Sequence, residues 1–230
     1  MNGRQLKKRL GLTQEDLAEI KKSVADAESR TSGEIALAVI AESDSYAVWE
    51  VVAAAVTSMV LFLCIFPLSP QIYQWLAGHF WGIEPWYLSL FFGAVCSFSV
   101  IVLYFLYNIP FIDSLVIPQA VKSKAVSAYA MRYFAESGVY CTDSHSGVLV
   151  FVSLFEKQVR IVADKHISSK VSSDLWNLIA DEIAENIRKG NSKDAFLTAV
   201  EKCGQLLAEN FPAQSEKKNQ LEDGLVILEV

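Results

Sequence analysis

Residues 34–41 read Glu-Ile-Ala-Leu-Ala-Val-Ile-Ala, a run that is apolar on both faces of an extended chain. A strand of this kind is usually buried in the centre of a sheet, because both of its faces need apolar neighbours. The segment before it supplies one amphipathic helix, which begins near Thr13 and ends at Gly33. One helix and one strand cannot bury such a run, so its partners are expected further along the chain.

The C-terminal part of the chain contains those partners. Residues 147–154 form a second apolar strand, and residues 158–163 form a third that alternates more clearly. The link between them is short enough for an antiparallel hairpin. Apolar residues at helical spacing predict one helix before this hairpin, ending at Gly138. They predict two helices after it, ending at Gly190 and Pro212. The predicted fold class is α/β, a small mixed sheet sandwiched by helices.

A stretch with almost no charge separates the two parts of this predicted domain. Residues 47–121 contain no Lys or Arg. Two runs within it, about residues 48–68 and 87–109, are long enough to cross a bilayer core of ~30 Å. A central Lys or Asp would oppose insertion by about 2.5–3.5 kcal/mol, and neither run has one. The sequence therefore predicts that a two-helix transmembrane hairpin interrupts the domain.

The distribution of basic residues predicts the orientation of this hairpin. The loop between the runs, residues 69–85, has no Lys or Arg, whereas Arg30, Lys122, Lys124 and Arg132 flank the outer ends. Because basic residues are retained on the cytoplasmic side, both termini are expected in the cytoplasm.

The predicted organisation is one domain split by a membrane insertion. Its successive parts are an N-terminal helix and strand (residues 1–46), the transmembrane hairpin (47–112) with an interfacial helix near 72–80, the remainder of the domain (113–213) and a charged tail (214–230). The tail ends in an apolar run, residues 224–230, which either adds an edge strand or docks on a partner.

Composition excludes several classes of protein. The chain has 230 residues, a net charge of −6 and 52% hydrophobic residues. An acidic chain without a Lys/Arg-rich block is not expected to bind nucleic acid, and the hydrophobicity excludes intrinsic disorder. The four cysteines lack zinc-site spacing, and there is no nucleophile elbow, P-loop, G-x-G-x-x-G or H-E-x-x-H. The sequence therefore holds no diagnostic catalytic motif.

A series of short motifs resembles one known family. Residues 28–35 (Glu-Ser-Arg-Thr-Ser-Gly-Glu-Ile) are similar to the E-x-x-T-x-G-E-I junction that opens the TPM domain. Thr142, the strand from Gly147 and residues 159–164 resemble its central hairpin. Trp176, Gly190 and residues 207–212 (Leu-Ala-Glu-Asn-Phe-Pro) resemble the short bacterial, membrane-anchored form of the family. The motif positions of interest are Glu28, Thr31, Gly33, Glu34, Gly147 and Trp176.

The resemblance implies an α/β sandwich, and the apolar runs of the short bacterial form predict a location in the bacterial plasma (inner) membrane. Many TPM proteins carry the domain outside the cell membrane, whereas the basic residues of this chain predict the inside. The resemblance also implies two kinds of chemistry, because some plant members are regarded as acid phosphatases and some bacterial members as divalent-metal binders. In this chain Asp143 and Asp164 stand where loop carboxylates would hold Ca²⁺ or Mg²⁺. The dense aspartate cluster of the metal-binding members is missing.

The two aspartates are expected to lie close together. Asp143 precedes the second strand, with His145 beside it, and Asp164 ends the third strand, followed by His166. Antiparallel neighbours place the start of one strand beside the end of the next. The alternative is that Asp164 caps a turn and the histidines are solvent-exposed. The junction residues Glu28, Thr31, Gly33 and Glu34, together with Gly147 and Trp176, are interpreted as structural.

Two functions follow from these observations. The first is a membrane-anchored TPM-domain protein of undefined molecular activity, serving as a cytoplasmic-face interaction or assembly and maintenance module whose partners are the membrane and another protein. The alternative is a divalent-metal-dependent, acid phosphatase-like hydrolase. A transporter is disfavoured, because two spans without internal charges make no obvious pathway.

Overall fold

A computed structural model describes residues 3–82, 84–109, 112, 116–142, 145–213, 221 and 223–229. The chain divides into two compact units. One combines Met1–Asp44 with Ala120–Val230 and is called the α/β unit here; the other, Ser45–Gln119, is helical and is called the hairpin unit.

The α/β unit begins with two helices, α1 (Gly3–Leu10) and α2 (Gln14–Glu28). The predicted start at Thr13 is confirmed. The Thr13 hydroxyl accepts a hydrogen bond from the Asp16 amide (3.1 Å), and the Asp16 carboxylate accepts one from the Thr13 amide (2.8 Å). This reciprocal capping box satisfies two amides at the helix start. It also lowers the pKa of the Asp16 carboxyl, chiefly through the Thr13 side-chain hydrogen bond.

Four strands form a mixed sheet in the order β3-β2-β1-β4. Their bounds are β1 Glu34–Ile40, β2 Gly147–Ser153, β3 Gln158–Ala163 and β4 Leu225–Leu228. β1 pairs with β2 in parallel, from Glu34 opposite Gly147 to Ile40 opposite Ser153, and β2 and β3 form the predicted antiparallel hairpin. The doubly apolar run is thus a central strand, as predicted. The apolar tail adds β4 in parallel to β1, so it pairs within its own chain.

Helices cover both faces of this sheet, as the predicted sandwich requires. On one face α1, α2, α8 (Ser173–Arg188) and α9 (Ser192–Asn210) pack over side chains such as Leu37 and Val150. On the other face α6 (Gln119–Glu136) packs over Ile40, Leu149 and Phe151. Each fully buried Leu, Ile or Phe contributes about 1.5–3 kcal/mol.

Two short elements connect these layers. A 3-10 turn, Val139–Cys141, precedes β2, and the one-turn helix α7 (Lys165–Ser168) follows β3. Within the core of the first face, complete burial raises the pKa of the Cys203 thiol to about 12, so this thiol stays protonated near neutral pH.

The helix α1 has no counterpart among the predicted elements. Its eight residues bury only Leu6 and Leu10, which gives too short a pattern to stand out from the sequence. The helix contacts β4, and the Gly3 amide donates a hydrogen bond to the Glu229 carboxylate at 2.9 Å. A long-range partner therefore stabilises a helix that would be marginal alone.

The hairpin unit contains two helical stretches long and apolar enough to cross a bilayer, Ala47–His79 and Trp86–Tyr107. The first comprises α3 (Ala47–Ile65), a 3-10 turn (Phe66–Leu68) and α4 (Ser69–His79). The sequence predicted a loop before a separate helix near 72–80. The helical path continues instead, because each proline stands in the first turn of its element, where a missing amide proton costs nothing.

Contacts between α3 and α5 (Trp86–Tyr107) show that the two helices run antiparallel. The pairs are Asn108 with Glu50 (3.0 Å), Tyr107 with Thr57 (2.8 Å), Ser99 with Ser58 (2.6 Å) and Phe92 with Phe62 (ring centroids 5.5 Å apart). Residue numbers rise along one helix as they fall along the other. Hydrogen bonds between polar side chains stabilise such a contact where apolar surroundings leave little hydrophobic driving force between the helices.

Candidate functional site

The start of β1, the start of β2 and the end of β3 lie at one edge of the sheet, called the N-terminal edge here. The Glu34 amide donates to the Ser146 carbonyl at 3.1 Å, and the Asp164 amide donates to the Gly147 carbonyl at 3.0 Å. These bonds place the Thr31–Glu34 junction and the Asp164 loop side by side. The candidate site is built at this edge.

Asp164 lies beside the imidazole ring of His145 and, as the alternative expectation had it, serves as a cap. Its side chain is 11% exposed, and its Oδ2 lies 4.0 Å from Nδ1 of His145. The rings of His145 and His166 have centroids 5.6 Å apart. Asp164 is also the N-cap of α7, where its carboxylate accepts from the His166 amide at 3.4 Å. The carboxylate is thus both a helix cap and one side of an Asp-His-His cluster.

The other predicted carboxylate, Asp143, lies outside the described residues, as does Ser144. Among the residues the structure describes, no group of three or more His, Cys, Asp and Glu side chains is arranged to hold a metal ion. Ca²⁺ and Mg²⁺ prefer six or more oxygen ligands. One carboxylate and two imidazoles do not meet that requirement, so the described part of the cluster alone does not fit such an ion.

The cluster has groups suited to proton transfer. The His145 side chain is 59% exposed, so solvent and ligands reach it. An imidazole is the side chain that most often transfers protons in catalysis. The neighbouring Ser146 hydroxyl is buried and donates a hydrogen bond to the Ser32 carbonyl at 3.1 Å, so its proton is already engaged within the fold.

The junction residues bind the edge to the end of α9. The Thr31 hydroxyl, which is fully buried, donates to the Phe211 carbonyl at 2.5 Å and accepts from the Gly33 amide at 3.0 Å. The Glu28 carboxylate accepts from the Ile35 amide at 2.7 Å. Nearby, the Lys170 ammonium donates to the Asn210 carbonyl at 3.0 Å and lies 4.3 Å from the Phe211 ring centre. The contacts of Thr31 and Glu28 are internal to the fold.

Two glycines permit close backbone approach at this edge. A Cβ at Gly147 would lie 2.0 Å from the Val139 carbonyl oxygen, and one at Gly33 would lie 2.9 Å from the Ser146 carbonyl oxygen. Neither backbone atom can move aside cheaply, so any side chain here would displace β1 or β2. The requirement for glycine is steric.

The remaining motif residues are inside the unit. Glu34 is 1% exposed at the first position of β1, and Trp176 is 6% exposed in the core beneath α8. Neither side chain is accessible to a ligand in this conformation.

The opposite edge of the sheet contains a buried polar cluster that sequence reasoning missed. The Glu156 carboxylate accepts from the Ser43 amide at 2.9 Å and also from the Ser153 hydroxyl, to which the Ser43 hydroxyl donates at 2.9 Å. Glu156 is only 4% exposed. The one signal in the sequence is Glu156 itself, an acid in the short link between two apolar strands. An acid in such a link is ordinarily expected to be exposed to solvent, so it does not indicate a buried cluster.

Comparison with protein families confirms the resemblance read from the sequence. The family model of the TPM domain matches residues 112–206, which include the β2–β3 hairpin, α8 and most of α9. The match does not extend to the Glu28–Glu34 junction. No curated protein matches the sequence of this chain.

A solved structure has a similar fold. The NMR structure of the BA42 protein from the psychrophilic bacterium Bizionia argentinensis superposes with a TM-score of 0.54 and 20% sequence identity, covering 94% of each chain. At that identity the likeness shows the fold alone.

Proposed function

We propose that this chain, which carries a TPM domain, is a two-span membrane protein whose α/β unit serves at the cytoplasmic face as an interaction or assembly module. The observation that carries the proposal is a pair of long apolar helices whose side chains remain uncovered. Only 11% of the most apolar window is buried in the first helix and 6% in the second.

Long apolar helices also occur in the cores of soluble proteins and in signal sequences, and neither case fits this pair. A core helix of a soluble protein would be mostly covered by its own chain. A signal sequence would stand near the N-terminus, whereas these helices begin at Ala47 and Trp86. Side chains such as Leu63 (58% exposed) and Phe98 (69% exposed) would face water unless lipid covered them. A bilayer is the environment that suits them.

The interaction role is supported by apolar side chains on the α/β unit itself. On α8, Leu175 is 37% exposed and Leu178 is 66% exposed, and the two stand three residues apart on one face. Exposed apolar side chains that neighbour each other are typical of contact surfaces. The apolar tail is already paired as β4, so α8 is the better candidate for a partner contact.

Topology tests the orientation. A reporter active only outside the cytoplasm should be inactive when fused after Val230, because the basic flanks retain that end. The same reporter inserted at Gly82, in the exposed turn between the helices, should be active. Reversed activities, or inactivity at both positions, would contradict the proposed arrangement.

Site-specific photocrosslinking tests the interaction. With a benzoylphenylalanine in place of Leu178, irradiated native membranes should give one discrete product with another protein. The matched control carries the same group in place of Glu201, an exposed polar position on α9, and should give none. Absence of a product at 178, or the same products at both positions, would refute the interaction role.

A divalent-metal-assisted phosphatase is the second candidate, and the observation on its side is the Asp164 carboxylate at 4.0 Å from the His145 imidazole. This candidate requires Asp143, which lies outside the described residues, to complete the ligand set. The chain's own contribution would be the proton-accepting imidazoles beside a fixed carboxylate.

Metal binding and hydrolysis test this second candidate separately. The full chain in detergent should bind Mg²⁺ or Ca²⁺ by calorimetry and hydrolyse p-nitrophenyl phosphate. Asp164→Asn should weaken both by at least about tenfold, the effect of losing one charged ligand. Asp174→Asn, an exposed position on α8, is the control and should change neither. If the unaltered chain binds neither ion and hydrolyses nothing, the phosphatase candidate is wrong.

A further inference from the structure

A pocket opens in the α/β unit where three turns meet, at the opposite end of the β2–β3 hairpin from the Asp-His-His cluster. Gly11 ends α1, Lys157 forms the β2–β3 turn, and Gly190 separates α8 from α9; their φ angles are +67°, +54° and +84°. The pocket that these turns line measures about 390 Å³. Pockets that hold small ligands start at about 300 Å³, so the space is large enough for one.

The charge of this pocket is opposite to that of the protein. Lys8, Arg9, Lys157 and Arg188 line it, and no acidic side chain does so among the described residues. The chain as a whole has a net charge of −6. Arg188 forms an ion pair with Glu185: the arginine Nη1 lies 3.1 Å from the glutamate Oε2. The other three form no ion pair within the described part of the chain.

Helix electrostatics explain this arrangement only in part. Lys8 and Arg9 stand in the last turn of α1, where the helix dipole favours cations. Lys157 belongs to a β-turn and has no helix dipole to stabilise its charge. Like charges that share one pocket repel each other, and an anion bound among them would offset that repulsion. An anionic ligand would supply that compensation.

The walls of the pocket indicate which group, besides an anion, a ligand would carry. The inner surface is apolar, formed by side chains that include Leu154, Val159 and Ile187. Ser192, the first residue of α9, also lines the pocket, and Asn191 at the N-cap makes no side-chain hydrogen bond to that helix. The first-turn amides of a helix lack intrahelical partners and favour anions. A cationic rim over an apolar floor fits an anion attached to an apolar group.

We propose that this basic pocket binds the phosphate group of an organic phosphate ester, with the apolar part of the ester on its floor. The cationic side chains would neutralise the charge of a phosphate, and Arg9 and Arg188 present the planar donors that pair with its oxygens. A soluble metabolite and a lipid headgroup both carry this chemistry. The proposal does not depend on the interaction role or on the Asp-His-His cluster.

Calorimetry with phenyl phosphate tests the proposal. The full chain in uncharged detergent micelles should bind phenyl phosphate saturably, and more tightly than inorganic phosphate, which lacks the apolar part. The double variant Lys8→Gln/Arg9→Gln should lose at least about tenfold in affinity, as expected when charged hydrogen bonds are removed. The control, Arg4→Gln/Lys7→Gln, removes the same charge from the same helix outside the pocket lining and should stay within about twofold.

Nanodiscs distinguish the two sources of the phosphate. If phosphatidylglycerol added to phosphatidylcholine nanodiscs weakens phenyl phosphate binding, a lipid headgroup fills the pocket. If binding is unchanged, the ligand is a soluble ester. The proposal is overturned if phenyl phosphate shows no saturable binding to the unaltered chain. It is also overturned if the two double variants lose affinity equally, since the charge of α1 as a whole would then suffice.

Discussion

The structure depends on the pairing of β1 with β2 across the interruption made by the hairpin unit. Ile40 and Gly147 end a loop of about 100 residues, and closing a flexible loop of that length costs about 4 kcal/mol in chain entropy. Against this, Ile35, Leu37, Val39 and Ile40 of β1 become fully buried, and at about 1.5–3 kcal/mol each they contribute about 6–12 kcal/mol. Burial of this one strand therefore exceeds the loop-closure cost, before the conformational entropy of ordering the strand is counted.

The same pairing, together with the β2–β3 hairpin, positions the polar groups at both edges of the sheet. Its register places Glu34 opposite Gly147, and β3 returns beside β2, which brings Asp164 and His145 together. At the opposite edge it places Ser153 within reach of Ser43, on the segment that leads from β1 toward the hairpin unit. The Ser43–Ser153–Glu156 cluster joins segments distant in sequence, so it forms only when the central pairing does. The contact between Asp164 and His145 depends on the β2–β3 hairpin instead.

The strands and the sandwich could be predicted from the sequence, because doubly apolar runs and short hairpin links are local signals. Two residues at helical spacing, Leu6 and Leu10, were too few to indicate α1, and nothing local decided that the tail would pair with β1. The path through Pro67 and Pro70 also differed from the expected loop, since a proline alone does not show whether it ends a helix or begins the next.

The candidate site was predictable to the extent that strand order determined it. The approach of the loops that hold Asp164 and His145 followed from antiparallel geometry. The basic pocket did not, because Lys8, Lys157 and Arg188 converge from three elements whose spacing carries no periodic signal.

Amide hydrogen exchange of the full chain in detergent micelles tests the central claim most directly. If β1 is a central strand of a sheet closed across the interruption, the amides of Glu34–Ile40 should be among the slowest to exchange, at the rates of Gly147–Ser153. Exchange of the β1 amides at the rate of exposed turns, while those of β2 stay protected, would contradict the account.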